Sequence, residues 1–209
     1  MIRHEWKNER WFVVDVETTG LSPASARVIE FGYCVVEKKA PVAAGQVFVK
    51  PLGLTEIPPK AAECNKITMA DLADADSWGD LAAGIASEMV KAEVIIAYNA
   101  PFDRGFVENE FRLAGLVCPR ALWLDPCLWI RNFDRGRGKA TLVAACERRN
   151  IVIADGRAAH RAGYDSEQLA RLVLNLLPYL PDDLLELLGQ EERWRREWDA
   201  NRLTQEVPR

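Results

Sequence analysis

Two acids, Asp15 and Glu17, close an otherwise apolar run, Trp11-Phe12-Val13-Val14-Asp15-Val16-Glu17, that stops at Thr18-Thr19-Gly20. The run reads as a buried strand ending in a turn, a place where charge is costly. Successive strand residues point to opposite faces, so positions 15 and 17 project together and their carboxylates converge. Close carboxylates repel, and one keeps its proton to higher pH unless a cation sits between the two. A hard divalent ion such as Mg²⁺, which takes one or two protein carboxylates together with waters and a substrate phosphate, meets that need. The plain alternative is a polar strand end running into a turn, because an acid pair at this spacing arises often by chance.

Two later segments carry acids at comparable corners. Tyr98-Asn99-Ala100-Pro101-Phe102-Asp103 lies where a strand gives way to a helix, with Asp103 in the first helical turn. The helix dipole favours an acid there, and Asn99 could serve as the cap, so on its own this segment has an ordinary explanation. His160-Arg161-Ala162-Gly163-Tyr164-Asp165 precedes a helix beginning near Ser166, and Asp165 with Gln168 reads as a capping box. The chain has only two histidines, and the other, His4, lies in a charged N-terminal segment. A near-neutral base beside a carboxylate is what water activation requires; a solitary surface histidine is the alternative.

Together the three segments resemble the DEDDh exonucleases of the ribonuclease H-like fold. That family includes the proofreading subunit of bacterial replicative DNA polymerase, ribonuclease T and oligoribonuclease. Val13-Val14-Asp15-Val16-Glu17-Thr18-Thr19-Gly20-Leu21 is similar to its first motif, Asn99-Ala100-Pro101-Phe102-Asp103 to its second, and His160 with Asp165 to its third. The histidine five residues before the aspartate matches the histidine branch; the tyrosine branch would need a tyrosine where this chain has Arg161. The resemblance spans about residues 10–178. Tyr98 stands where many relatives carry a histidine before the asparagine, a departure that touches nucleotide contacts and leaves the metal ligands intact.

The resemblance implies a metal-dependent 3′–5′ exonuclease that releases nucleoside 5′-monophosphates. Asp15, Glu17 and Asp165 would hold one divalent ion, Mg²⁺ or Mn²⁺, with Asp15 bridging to a second near Asp103, and His160 would be the general base. The expected partners are 3′ ends of single-stranded DNA or RNA, DNA favoured slightly, while a polymerase or repair partner and a homodimer stay open. The turn after the first strand offers backbone N–H groups and the Thr18 and Thr19 hydroxyls to the terminal sugar. Asn99 belongs with the nucleotide contacts of the second motif. Leu21 and Phe102 could press on terminal bases, although Phe102 serves equally well as core. A basic, glycine-containing segment, residues 131–139, holds Arg131, Arg135, Arg137 and Lys139 against Asp134, and Arg157 and Arg161 flank His160. These cations could track a phosphate backbone or simply be solvated.

The elements that must position these residues begin with three β-rich runs, residues 11–17, 28–36 and 45–50, read as an antiparallel meander. A helical pattern over residues 68–90 sets Leu81, Ile85, Met89 and Val90 on one face. A fourth strand over 94–98, a helix over 101–116 with Phe102, Phe106 and Phe111 toward the core, and a short strand over 121–124 follow. Helices near 127–131, 141–149 and 166–177 complete an α/β fold, a mixed five-stranded sheet flanked by helices, as the ribonuclease H-like resemblance also implies. Past Pro178 and Pro181 a charged helix over 182–202 carries Trp194 and Trp198; its tryptophans pack on the domain or meet a strand or partner. The expected division is an exonuclease domain, residues 1–180, and a C-terminal helical appendage, residues 181–209.

Composition narrows the classes. A chain of 209 residues holds one domain with a sizeable core. The net charge of −4 argues against a protein coating duplex DNA through a broad basic face, but leaves room for one gripping a strand end through metal ions. Five cysteines without a C-x-x-C pair read as reduced and structural. No run reaches the ~20 apolar residues of a membrane span, and no signal peptide is seen, so a cytoplasmic enzyme without membrane contact is the default. The competing classes are a non-catalytic strand-end binding or polymerase-associated module of the same fold, and a structural α/β domain whose acids are caps and turns.

Overall fold

Alternation along the first strand decides the layering. In the computed structural model, which describes residues 5–152 and 161–205 (201–205 by backbone alone), strand β1 (Trp11–Thr18) sends Trp11 and Val13 to one face and Phe12, Val14 and Val16 to the other. Both faces are buried, so each must be covered by helices. β1 pairs antiparallel with β2 (Val28–Glu37), which pairs antiparallel with the edge strand β3 (Ala40–Phe48). On its other side β1 pairs parallel with β4 (Val94–Ile96), and β4 with β5 (Trp123–Leu124). The order β3-β2-β1-β4-β5 makes the expected mixed five-stranded sheet.

Helix α1 (Pro59–Asn65) leads toward α2 (Trp78–Lys91). The long helix expected over 68–90 is shorter than its pattern, because Thr68 and Asp71 close a local turn and the Ser77–Asp80 capping box starts α2 at Trp78. Of its expected stripe, Ile85 and Met89 are buried while Val90 is exposed. With α3 (Ala100–Leu113), α2 covers the Phe12/Val14 face, where Phe106 and Phe111 are buried and Phe102 only partly.

The opposite face is covered by α4 (Pro126–Phe133), α5 (Leu142–Glu147) and α6 (Ala162–Leu176). After a 3-10 turn at Leu177–Tyr179, α7 (Leu184–Gln205) buries Leu184 and Leu187 in this same cluster and sets Trp194 edge-on to Phe133. The segment before β1 docks here too: Trp6 is buried against Trp11 and Trp129, and its indole N–H donates to Pro181 O. All five cysteines are free thiols. Among the described residues no helix is long and apolar enough to cross a membrane.

Candidate active site

Asp15 and Glu17 continue the Trp11/Val13 face of β1 past the end of the apolar run, as period-two alternation demands. Their cross-strand partners on β2 are Gly32 and Glu30, and paired residues share a face. Gly32 has no side chain, and the N-terminus of α6 lies against the gap. A Cβ at position 32 would stand 1.9 Å from the Ala162 carbonyl carbon and 2.3 Å from Gly163 N. This close approach brings Asp165, in the first turn of α6, to the two acids of β1. Oxygens of Asp15, Glu17 and Asp165 lie within 4.8 Å of one another.

Asp103, in the first turn of α3, is buried, and its Oδ1 accepts the Val16 N–H at 3.2 Å. It therefore ties α3 to the backbone between Asp15 and Glu17. Burial, then the charges of Asp103, Asp165, Glu17 and Glu30, hold the Asp15 carboxyl well above the ordinary carboxylate range. Burial, then Asp165 and Glu30, push Glu17 up to about 8, with Arg161 pulling the other way. Asp103 is raised by burial, against the backbone N–H groups of its own residue and of Val16. Mutually repelling, half-buried oxygen donors fit a hard divalent cation such as Mg²⁺ or Mn²⁺, whose charge would offset both desolvation and repulsion.

Two clamps steady the groups around this cluster. Glu30, fully buried, accepts Arg161 Nη2 at 2.7 Å and Ala162 N–H at 3.0 Å, which fixes the first residues of α6. Arg161 also lies over the Phe48 ring at 4.9 Å, so it serves the fold's interior. Glu110, fully buried on α3, takes Arg27 through two bonds of 2.8 Å and accepts Val28 N–H at 3.0 Å. Asn109 Nδ2 donates to Pro23 O at 2.8 Å. Together these pin the β1–β2 loop to α3. That loop holds Leu21 at 88 % exposure, an apolar side chain offered to solvent from a braced turn. The Thr18 hydroxyl donates to Gly20 O at 2.7 Å and the Thr19 hydroxyl accepts Arg27 N–H at 2.9 Å, so both brace the same turn.

Asn99 occupies the N-cap position of α3 in the left-handed conformation, with φ of 68°, yet its side chain caps nothing. The expected side-chain cap is absent because Asn99 is left-handed rather than extended, a conformation held from below by Asp125, which accepts the Asn99 N–H at 2.9 Å. The expected Asp165–Gln168 capping box is absent as well. Arg161 is the N-cap of α6, Asp165 lies inside the first turn, and Gln168 Nε2 donates to the Tyr164 hydroxyl at 2.9 Å. His160 and Arg157 lie outside the described residues.

Asp125 extends the network to α7. It is buried, its own N–H donates to Glu191 Oε1 at 2.9 Å, and Arg195 Nη2 approaches at 3.3 Å. Glu191 Oε1 also accepts the Trp129 indole N–H at 2.7 Å; burial and the neighbouring Asp125 push this carboxyl up to about 7. Asp125→Ala would strand the Asn99 and Cys127 N–H groups and free Arg195, while the backbone N–H that Glu191 accepts stays. It is expected to cost roughly 2–4 kcal/mol in urea unfolding. Arg195→Ala, whose side chain is 40 % exposed, should cost under about 1 kcal/mol. Equal losses in the two variants would show that Asp125 does not carry this corner.

Of these supporting residues, Glu30 was open to the reasoning that picked out Asp15: it is an acid inside an apolar strand, Val28-Ile29-Glu30-Phe31. Asp125 and Glu191 gave no such signal, since each sits at a helix start or in a charged helix where acids are ordinary.

The family model for exonucleases, RNase_T, matches residues 12–173. The ε subunit of DNA polymerase III from Pasteurella multocida is 29 % identical over 181 residues, covering 80 % of this chain and 68 % of that one. Ribonuclease T of Haemophilus ducreyi is 23 % identical over 207 residues, covering 87 % and 91 %. The PolC-type DNA polymerase III of Mycoplasmopsis pulmonis is 24 % identical over 183 residues, and there the chain spans only 12 % of the relative's length. Exonuclease X in complex with 5′-overhanging duplex DNA superposes with a TM-score of 0.66 at 24 % identity, covering 81 % of this chain and 92 % of that one. The nuclease domain of 3′hExo, a DEDDh family member bound to rAMP, gives 0.67 at 17 % identity, covering 84 % and 94 %. At such identities the solved structures speak for the fold, while the match over residues 12–173 speaks for descent: the chain belongs to the exonuclease family, as a 3′–5′ exonuclease domain of ribonuclease H-like fold.

Proposed function

We propose that the chain hydrolyses the terminal phosphodiester at the 3′ end of single-stranded nucleic acid, DNA in preference to RNA, and releases nucleoside 5′-monophosphates. The observation that carries this reading is the convergence of Asp15, Glu17 and Asp165 within 4.8 Å, with Asp103 bonded to the backbone between the first two. Asp15, Glu17 and Asp165 would hold one divalent ion, Mg²⁺ or Mn²⁺, and Asp15 with Asp103 a second. Ions so bound supply positive charge for water activation and for the leaving 3′ oxygen. The remaining work falls to the chain's own groups. His160 takes the proton of the attacking water, a task suited to an imidazole of pKa ~6.5. The turn at Thr18 and Thr19 would offer its remaining backbone N–H groups to the terminal sugar, the Thr19 N–H being held by Arg27 O at 2.9 Å, and Asn99 would contact the nucleotide. Exposed Leu21 and half-buried Phe102, the residue before Asp103, would give the terminal bases apolar surface.

The test is degradation of 5′-labelled single-stranded DNA and RNA with Mg²⁺ or Mn²⁺ and with chelator. A ladder shortening from the 3′ end is expected, faster on DNA and abolished by chelator. His160→Ala should slow it by about 10²–10⁴. Intact oligonucleotides under every condition would overturn the reading.

A further inference from the structure

A groove of about 440 Å³ runs between α4, the loop after it and α7, lined by Leu128, Arg131, Arg135, Gly138, Trp194 and Trp198 among others. Its chemistry is not that of a buried seam. Trp198 is 42 % exposed, with the Arg131 guanidinium 4.1 Å over one face of its ring. Arg135 is 72 % exposed; Glu197, itself 61 % exposed, stands 3.9 Å away, too far for a strong pair. The other acid on the lining, Asp134, is buried and already neutralised by Arg148 and Arg149, each at 2.8 Å. The groove therefore presents positive charge held only by a ring contact and one long, exposed ion pair, beside an exposed aromatic, although the chain as a whole is negative. Arg137 and Lys139 extend that charge along the same exposed loop.

The groove is tied through hydrogen bonds to the corner that carries Asn99. The Tyr98 hydroxyl donates to Ala140 O at 2.8 Å, so the loop closing the groove rests on the residue before Asn99. Helix α4 is capped by Asp125, which holds the Asn99 N–H.

We propose that this groove binds the single strand upstream of its 3′ end, with a base stacked on Trp198 and a backbone phosphate at Arg135. The proposal rests on the exonuclease reading and adds to it the path of the substrate. Stacking is tolerant of base identity and phosphate contact reads no sequence, so the groove confers length dependence rather than sequence preference.

The experiment compares kcat/KM on a 20-nucleotide single-stranded DNA with that on the p-nitrophenyl ester of thymidine 5′-monophosphate, which reaches only the acidic site. For Trp198→Ala the ratio of long to short is expected to fall about tenfold relative to wild type. For Arg135→Gln the slope of log KM for the 20-mer against log salt should shrink by about 0.7, one phosphate contact on a single strand. An unchanged ratio, or equal losses on both substrates, would overturn the groove. Should wild type cleave neither substrate, the exonuclease reading fails by itself. Fluorescence anisotropy of labelled dT20 in chelator then judges the groove: weaker binding by Trp198→Ala supports it, and equal binding, or no binding by wild type, overturns it.

Discussion

Asp15→Asn is expected to abolish nucleotide release and, without divalent ions, to melt above wild type at pH 8. Both outcomes follow from one feature. Asp15 shares a half-buried space with Glu17 and Asp165, and burial and its acidic neighbours hold its carboxyl well above the usual range. An amide keeps the shape, removes a charge from a repelling group, and is a poor ligand for a hard cation. The pH dependence has a definite sign. Glu17, pushed up to about 8 chiefly by burial, keeps in the folded protein a proton that the unfolded chain releases near its ordinary value of 4.5. Its contribution to metal-free stability is fully present below about pH 4.5 and is lost as pH rises through about 8. The clearly depressed carboxyls, Asp71, Asp80, Glu88 and Asp134, act in the opposite sense only below their ordinary values, outside this window. Metal-free wild type should therefore melt lower at pH 8 than at pH 5, by about 2–4 °C for each kcal/mol involved. Millimolar Mn²⁺ should raise its melting temperature most at pH 8, because an ion bound only by the folded state stabilises it and needs ionised ligands. The variant should show a flatter pH profile and little response to Mn²⁺. Melting below wild type in chelator at pH 8, or an equal gain from Mn²⁺, would remove Asp15 from the proposed metal site.

What the residues disclosed before folding, and what they did not, divides along a physical line. Asp15 and Glu17 were legible because a charged pair at the end of an apolar strand demands compensation, and alternation alone puts both on one face. Asp103 and Asp165 each had an ordinary explanation at a helix start. Only their order along the chain, relative to the first motif, joined them to it. The meander of the first three strands followed from their short connections, whereas the place of β4 and β5 beside β1 was not legible. Helix starts were less legible. The expected helix over 68–90 failed because Ser77 and Asp80 cap α2 at close range, and the Asp165–Gln168 box gave way to an N-cap at Arg161 set by Glu30. Long-range pairs such as Glu30 with Arg161, Glu110 with Arg27 and Asp125 with Glu191 join elements separated by dozens of residues. No local pattern encodes them.

Gly32 is the sharpest case of that kind, and Gly32→Ala should be among the most damaging single-atom changes in the protein. A Cβ there would lie 1.9 Å from the Ala162 carbonyl carbon and 2.1 Å from its oxygen, and both are backbone atoms that cannot rotate aside. Either β2 bends away or the start of α6 lifts. Lifting breaks the Ala162 N–H bond to Glu30 and carries Asp165, three residues on, away from Asp15 and Glu17. The expected cost is roughly 3 kcal/mol or more, a fall of about 6–12 °C in melting temperature for a chain of this size. Displacement of Asp165, a ligand in the proposed metal site, by about an ångström should lower kcat by at least about 10²-fold even where the variant remains folded. Gly45→Ala is the control on the neighbouring strand. Its Cβ would meet the Tyr33 hydroxyl at 2.9 Å and the ring just behind it, a side chain that can give way, so a much smaller loss is expected. Far-UV circular dichroism separates unfolding from displacement. A folded Gly32→Ala protein that still gains full stability from Mn²⁺ would mean that α6 had kept Asp165 in place, and that the close approach at Gly32 is a packing detail rather than what assembles the site.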